Sequence, residues 1–273
     1  MIVLDAKKNG WIDLLKEAID FQGVALVENV LEPSHIESSK SELYRVQKEI
    51  IRDVGSERLK TAGELGVLRL MFRYSDFFFK YLEIPEVLEV VDATVSNTAI
   101  LHLQNGFILP SYAEGESPSV FQNRYHMDFP RVLNGVLLSI NVFFPIDDFT
   151  SDNGGTLVSI ATQQSTIRPS REYLEMTARP VECSAGSMIV FDSTLWHAAG
   201  MNRSGKDRLA INMQFTRSYI KQQIDYVRAI GADKIQLLPE RTKQLLGWFT
   251  RVVTSLDEYY QPSEKRLYRA GQG

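Results

Sequence analysis

The N-terminal third of the chain alternates helical amphipathic stretches with short apolar runs. Trp11, Leu14, Leu15, Ala18, Ile19 and Phe21 recur at the spacing of one helix face, and Gly23 ends the pattern. Val24, Ala25, Leu26 and Val27 follow as a short strand. Pro33 opens a second helical stretch reaching about Arg52, with Ser34 as the expected N-cap and Glu37 as its capping-box partner. Residues 55–66 read as a polar loop, and residues 74–92 as helix with a break at Pro85.

The period changes near Val95. Strand-like runs cover residues 99–103, 136–144, 156–160, 188–191 and 209–216. Turn formers separate them, among them Pro110, Asp147-Asp148, residues 152–155 (Asp-Asn-Gly-Gly) and Arg203-Ser204-Gly205. Many short strands at this spacing predict a sandwich or barrel. Helix returns after Tyr219, where Ile220, Ile224 and Val227 form a face for core or for a homodimer contact, and again over residues 242–247. The expectation is a mainly β protein with flanking helices in one domain, 1–273. It has a mostly helical flank over 1–94, a β core over 95–219 and a helical flank over 220–273.

Composition narrows the class. The chain has 273 residues, of which 44% are hydrophobic and 23% charged, with a formal net charge of −4. That is too apolar for a disordered chain and long enough to bury a sizeable core. No basic run suggests nucleic acid or an anionic membrane as a partner. The single cysteine, Cys183, excludes an intrachain disulfide and reads as a small buried apolar residue. Asp5, Asp13 and Glu17 interrupt any signal-like apolar core near the start, and the longest uncharged stretch, 132–146, carries Asn134, Ser139, Asn141 and Pro145. The expected location is cytoplasmic.

Chemistry concentrates around two histidines. His126 and Asp128 lie two residues apart, so on a strand both side chains share one face and reach one metal ion. Alone the pair is a weak sign. His197 lies in Trp196-His197-Ala198-Ala199-Gly200, and a turn at residues 202–206 predicts an antiparallel hairpin with residues 208–215. On the return strand Arg208, Ala210, Asn212 and Gln214 share one face, while Leu209, Ile211, Met213 and Phe215 share the other. The polar face lines a cavity or meets water, and the hairpin puts Arg208 near His197. A buried arginine asks for an anion, and its fork matches a carboxylate. Two histidines and one carboxylate on one face of an ion are the ligand set of non-haem Fe(II) oxygenases.

The ordered set His126-x-Asp128, His197 and Arg208, with eleven positions between the last two, resembles the phytanoyl-CoA dioxygenase family of Fe(II)/2-oxoglutarate-dependent oxygenases. Residues 21–31, the turn 152–157, Asn202 and Leu245-Leu246-Gly247 are similar to family elements as well, so the likeness runs over about residues 11–250. It implies a double-stranded β-helix, a jelly-roll or cupin-like core. It also implies Fe(II) held by catalytic His126, Asp128 and His197, with 2-oxoglutarate and O2 as co-substrates. Arg208 would hold the distal carboxylate of 2-oxoglutarate, helped by Thr156 and more weakly by Gln104. The implied reaction is hydroxylation with release of succinate and CO2. Asp128 argues against halogenation, because related halogenases place a small residue there.

The chain departs from the family where Pro-Gly-Ser-His often follows the Asn-Gly turn; here residues 160–164 are Ile-Ala-Thr-Gln-Gln. Ala199 stands where some members carry Ser or Thr. Pocket candidates are Tyr112, Phe121, Tyr125, Phe129, Arg131 and Trp196, with Glu114, Glu116 and Arg124 as polar contacts and residues 109–123 as a lid. No basic entrance for the phosphates of an acyl-CoA is apparent, so the expected partner is a small metabolite or natural-product intermediate. Two other readings stay open: a jelly-roll metal enzyme that does not use 2-oxoglutarate, and a non-catalytic binding protein on an oxygenase scaffold. His35 and His102 receive no catalytic role, and Asn202-Arg203-Ser204 matches a glycosylation pattern.

Overall fold

The computed structural model describes residues 1–116, 121–133 and 135–272. Strand β1 (Ile2–Asp5) runs parallel to β2 (Val24–Glu28), with helix α1 (Trp11–Gln22) between them. Gly23 ends α1 with φ 77°, and its N–H bonds the carbonyls of Ala18 and Ile19. Helix α2 (Pro33–Val54) starts before the expected cap. Pro33 occupies the first turn, where a missing N–H leaves nothing unpaired, so Ser34 lies inside the helix and does not cap it. The expected loop at 55–66 contains a short helix, α3 (Ser56–Thr61). Strand β3 (Val67–Arg69) follows. A 3₁₀ segment (Asp76–Glu83) then leads into α4 (Pro85–Thr94), whose start at Pro85 is the predicted break.

The remaining strands are β4 (Ile100–Leu109), β5 (Ser139–Pro145), β6 (Thr156–Val158), β7 (Arg179–Pro180), β8 (Met188–Asp192), β9 (His197–Ala199) and β10 (Arg208–Thr216). A further helix, α5 (Arg171–Thr177), precedes β7. The large sheet has the order β1-β2-β8-β5-β10-β4-β3, and a second sheet has the order β7-β6-β9. This is the expected double-stranded β-helix with helices outside it. Short helices, α6 (Tyr226–Ile230), α7 (Ala232–Gln236) and α8 (Glu240–Leu245), follow β10. No helix among the described residues is long and apolar enough to cross a membrane.

The parity read from β10 sorts two cores. Leu209, Ile211, Met213 and Phe215 pack in a large apolar cluster with Leu43 and Val46 of α2 and Val87, Val90 and Val91 of α4. Ala210 faces the other way, into a smaller cluster with Phe143, Phe149, Phe191 and Leu195. Each of these side chains larger than alanine contributes roughly 1.5–3 kcal/mol by leaving water. The helices thus cover one face of the large sheet, and the second cluster lies on the opposite face, where the polar side chains of β10 also emerge.

The expected hairpin does not form. β9 pairs with β6, whereas β10 pairs with β4 and β5, so residues 202–206 carry the chain from one sheet to the other. Asn202 holds this crossover. Its Nδ2 donates to the carbonyls of Leu109 (3.0 Å) and Lys206 (2.8 Å), and its Oδ1 accepts from Ser204 N (3.1 Å). The residue is fully buried, so the glycosylation pattern there is structural.

Candidate metal centre

His126 and His197 form a one-residue antiparallel bridge. His126 N–H donates to His197 O at 2.9 Å, and His197 N–H donates to His126 O at 3.0 Å. Residues directly opposite in such a pair project their side chains to the same face. The two rings therefore stand side by side, with centroids 4.4 Å apart. Asp128 follows two residues later, with Oδ1 3.4 Å from His126 Nε2 and Oδ2 3.6 Å from His197 Nε2. One ligand atom from each of the three residues lies within 4.8 Å of the others. Ligand atoms at right angles on bonds of about 2.1 Å sit about 3 Å apart, so a small closure of the set fits one ion.

The backbone also selects the ring nitrogens. His126 Nδ1 lies 2.7 Å from Arg124 O, and His197 Nδ1 lies 2.9 Å from Leu195 O. A carbonyl only accepts, so each Nδ1 donates to it, and Nε2 is the nitrogen that each ring turns toward Asp128. Burial drives His197 down to about 4, so it is neutral near pH 7. Burial presses His126 down too, but the hydrogen bond and charge of Asp128 outweigh it and raise its pKa. Asp128 is pushed up by burial, yet the two imidazoles and a hydrogen bond from Asn141 hold it below the usual carboxylate range.

Behind Asp128 lies a chain of buried polar groups that the sequence did not reveal. Asn141 Nδ2 donates to Ser193 Oγ (3.0 Å), and Asn141 Oδ1 accepts from Asn212 Nδ2 (3.2 Å). Ser139 Oγ donates to Ser193 Oγ (2.7 Å) and accepts from Gln214 Nε2 (3.0 Å). The available signal was Ser139 and Asn141 at alternate positions of an apolar run, matching the parity of Asn212 and Gln214 on the strand beside it.

The triad opens into a cavity of about 550 Å³ that also contains Thr156, Phe143 and Phe191 in its lining. Arg208 lies beyond these rings. Its guanidinium is 4.4 Å from the centroid of Phe149, which packs 5.9 Å from Phe143. Arg208 is 3% exposed, and its Nε and Nη1 have no hydrogen-bond partner among the described residues. Burial lowers its pKa to about 10. A charge held this way needs an anion. The protonation of the imidazoles, the acidic Asp128 and this unpaired guanidinium fit a divalent metal with a dicarboxylate co-substrate.

Gln104 is not brought to the site. It sits on β4 with the parity opposite to Leu103 and Asn105, which line the cavity, and its Nε2 donates to Phe78 O at 3.3 Å. Arg124, Tyr125 and Trp196 line a separate cleft of about 1140 Å³. Leu157 and Ala198, a cross-strand pair of opposite parity to Thr156 and His197, line that cleft, which opens on the other side of β9. Lys60, Arg168 and Arg171 make its rim basic, a feature that net charge concealed because these residues are distant in sequence. Tyr112, Phe129 and Arg131 line neither space. The side chain of Phe121 and part of the expected lid, residues 117–120, lie outside the described residues.

Comparison with known proteins gives the family and the fold. The family model for phytanoyl-CoA dioxygenase (PhyH) matches residues 19–210. An uncharacterised protein of Mycobacterium tuberculosis is 57% identical over the whole of both chains. The dioxygenase olcK of Penicillium canescens is 24% identical over 82% of this chain and 70% of its own. Among solved structures, the non-heme monooxygenase ThoJ in a nickel complex has a TM-score of 0.61 at 17% identity, covering 77% of this chain and 80% of its own. EvdMO1 has a TM-score of 0.56 at 16% identity, covering 75% of this chain and 50% of its own. At these identities the solved structures speak for the fold.

Proposed function

The chain belongs to the phytanoyl-CoA dioxygenase family, and on that premise we propose that it is an Fe(II)- and 2-oxoglutarate-dependent dioxygenase that hydroxylates a small molecule. The coarser statement, a non-haem iron oxygenase, follows from the family together with the His-Asp-His set. The finer one is supported chiefly by the buried guanidinium of Arg208, whose Nε and Nη1 have no partner among the described residues, in a chain that also carries a three-ligand metal face.

In this reading His126 and His197 supply neutral Nε2 donors and Asp128 supplies the one charged ligand, leaving three positions open. Bound there, iron with 2-oxoglutarate and O2 supplies the oxidising power, yielding succinate, CO2 and a hydroxylated product. Arg208 would take the distal carboxylate of the co-substrate through its free Nε and Nη1. Thr156, which lines the metal cavity, would donate a hydroxyl hydrogen bond. Phe143, Phe149 and Phe191 would keep water from the bound carboxylate, which strengthens its pairing with Arg208. Asn141 would hold Asp128 in one orientation, so that its charge stays on the metal face. Asp128 fills the third ligand position and leaves no vacancy for a halide.

The test is succinate release from full-length protein with Fe(II), ascorbate and 2-oxoglutarate, across pools of candidate metabolites. Turnover should require His126, Asp128 and His197, and alanine at any of them should remove both stoichiometric metal binding and turnover. If the iron-loaded protein neither binds 2-oxoglutarate nor consumes it, the proposal fails.

A further inference from the structure

The wall of the metal cavity is rich in carboxamides. Asn105, Gln122, Asn212, Gln214 and Gln223 line it, with His102 and Arg69 among them. Small-molecule pockets are usually apolar with a few placed polar groups. The hydrogen bonds already made show what remains for a ligand. Arg69 pairs with both oxygens of Glu64 (2.7 and 2.8 Å) and donates to Asn105 Oδ1 (3.0 Å), so its charge is matched. Asn212 and Gln214 use their amide nitrogens on Asn141 and Ser139. Three buried atoms are left without partners among the described residues: Asn212 Oδ1, Gln122 Oε1 and His102 Nδ1. Most buried polar groups are hydrogen-bonded, so each unpaired one on this wall needs an explanation.

His102 reaches the cavity through a backbone irregularity. On β4, Leu103 pairs with Gln214 and Leu101 pairs with Phe215, so His102 is the extra residue of a β-bulge. In a regular strand His102 and Leu103 would point to opposite faces, yet both line the cavity. A bulge beside an active site re-aims a side chain in this manner. Neither ring nitrogen of His102 has a recorded partner among the described residues.

We propose that this cavity selects a neutral, polyhydroxylated small molecule, such as a sugar, glycoside or cyclitol, and that His102 is a specificity-determining contact for one of its hydroxyls. The inference rests on the oxygenase reading only for what happens to the substrate after it binds. A hydroxyl both donates and accepts, so one such group serves a carboxamide oxygen or an amide N–H alike. Asn212 Oδ1 and Gln122 Oε1 accept, so a ligand brings donors to them, while His102 Nδ1 donates or accepts according to its tautomer. The balanced Arg69–Glu64 pair leaves no free charge on that wall for an ionic ligand. The cavity volume, about 550 Å³, suits a ring-sized molecule together with a co-substrate.

The test is calorimetric binding to the full chain loaded with Ni(II), with and without 2-oxoglutarate. The probes are neutral sugars, methyl glycosides and cyclitols, set against their fully O-methylated and phosphorylated counterparts. Binding needs no turnover, so this experiment stays readable even if 2-oxoglutarate proves not to be consumed. At least one polyhydroxylated probe should bind saturably, and O-methylation should weaken it by about tenfold or more. His102→Phe should weaken the same probe comparably while Ni(II) still binds one per chain, and His102→Gln should restore part of the affinity. Equal or tighter binding of the O-methylated or phosphorylated probes would overturn the proposal. So would binding unchanged in His102→Phe, or no binding by any neutral polyol.

Discussion

Asn212 donates its Nδ2 hydrogen to Asn141 Oδ1 across 3.2 Å, and Asn141 in turn helps to keep the metal-facing Asp128 acidic. The pair joins neighbouring strands, β5 and β10, so the position of the carboxylate is set by the register of the large sheet. Outer partners of this kind orient a metal ligand, and losing one typically weakens metal affinity about 10–100-fold. Asn141→Ala should therefore lower Fe(II) or Co(II) affinity within that range and leave the secondary structure intact. A metal titration beside a circular dichroism spectrum checks this. Unchanged affinity would mean that Asp128 needs no support from Asn141.

Arg208 gives a prediction in which stability and function move apart. Its guanidinium is buried without a hydrogen-bonding anion, so the folded protein carries a desolvated charge. Arg208→Met keeps much of the stem volume and removes that charge. The variant without co-substrate should be as stable as the parent or more so by roughly 1 kcal/mol, while binding of 2-oxoglutarate is lost. Thermal denaturation with and without 2-oxoglutarate separates the two effects. A large destabilisation of the variant alone would reassign Arg208 to a structural role.

Asp192 sets a pH dependence. Burial raises its pKa, and the charge of Asp20 adds to this, against the opposing hydrogen bonds from Thr194. A folded pKa above the unfolded value means that its contribution to stability is full below the unfolded carboxylate pKa. That contribution is lost as pH rises through the folded pKa. Asp192→Asn keeps an oxygen for the Thr194 N–H and removes the titration. The variant should gain stability relative to the parent near pH 7 and show no such gain near pH 4, as read by denaturant melts at both values. A gain of equal size at both would show that charge is not the cause.

Gly200 sits directly beyond β9, where the Asp152–Gly155 turn approaches its backbone. A Cβ at Gly200 would lie 2.6 Å from Gly155 O, and one at Gly154, where φ is 78°, would lie 2.7 Å from Gly200 O. Backbone does not yield cheaply at such distances. Gly200→Ala should destabilise by more than about 1 kcal/mol and weaken metal binding, because β6 and β9 must part and β9 carries His197. An unaltered melting temperature would contradict this close packing.

The sequence by itself determined the β core, the parity of β10 and the break at Pro85, and it singled out His126, Asp128 and His197, whose ligand atoms the fold brings within reach of one another, and Arg208, which the fold buries. These depend on local period and on residue type, which a linear chain displays directly. It misplaced Ser34 because Pro33 already fills the first turn of α2. It misread residues 196–215 as a hairpin because a tight turn looks the same whether the next strand joins the same sheet or the opposite one. Only the tertiary structure decided that question, through pairing energies between strands distant in sequence. For the same reason it alone brought His197 beside His126, put Asn141 behind Asp128 and turned His102 inward through a bulge. Those positions depend on register, and register belongs to the partner strand as much as to the residue itself.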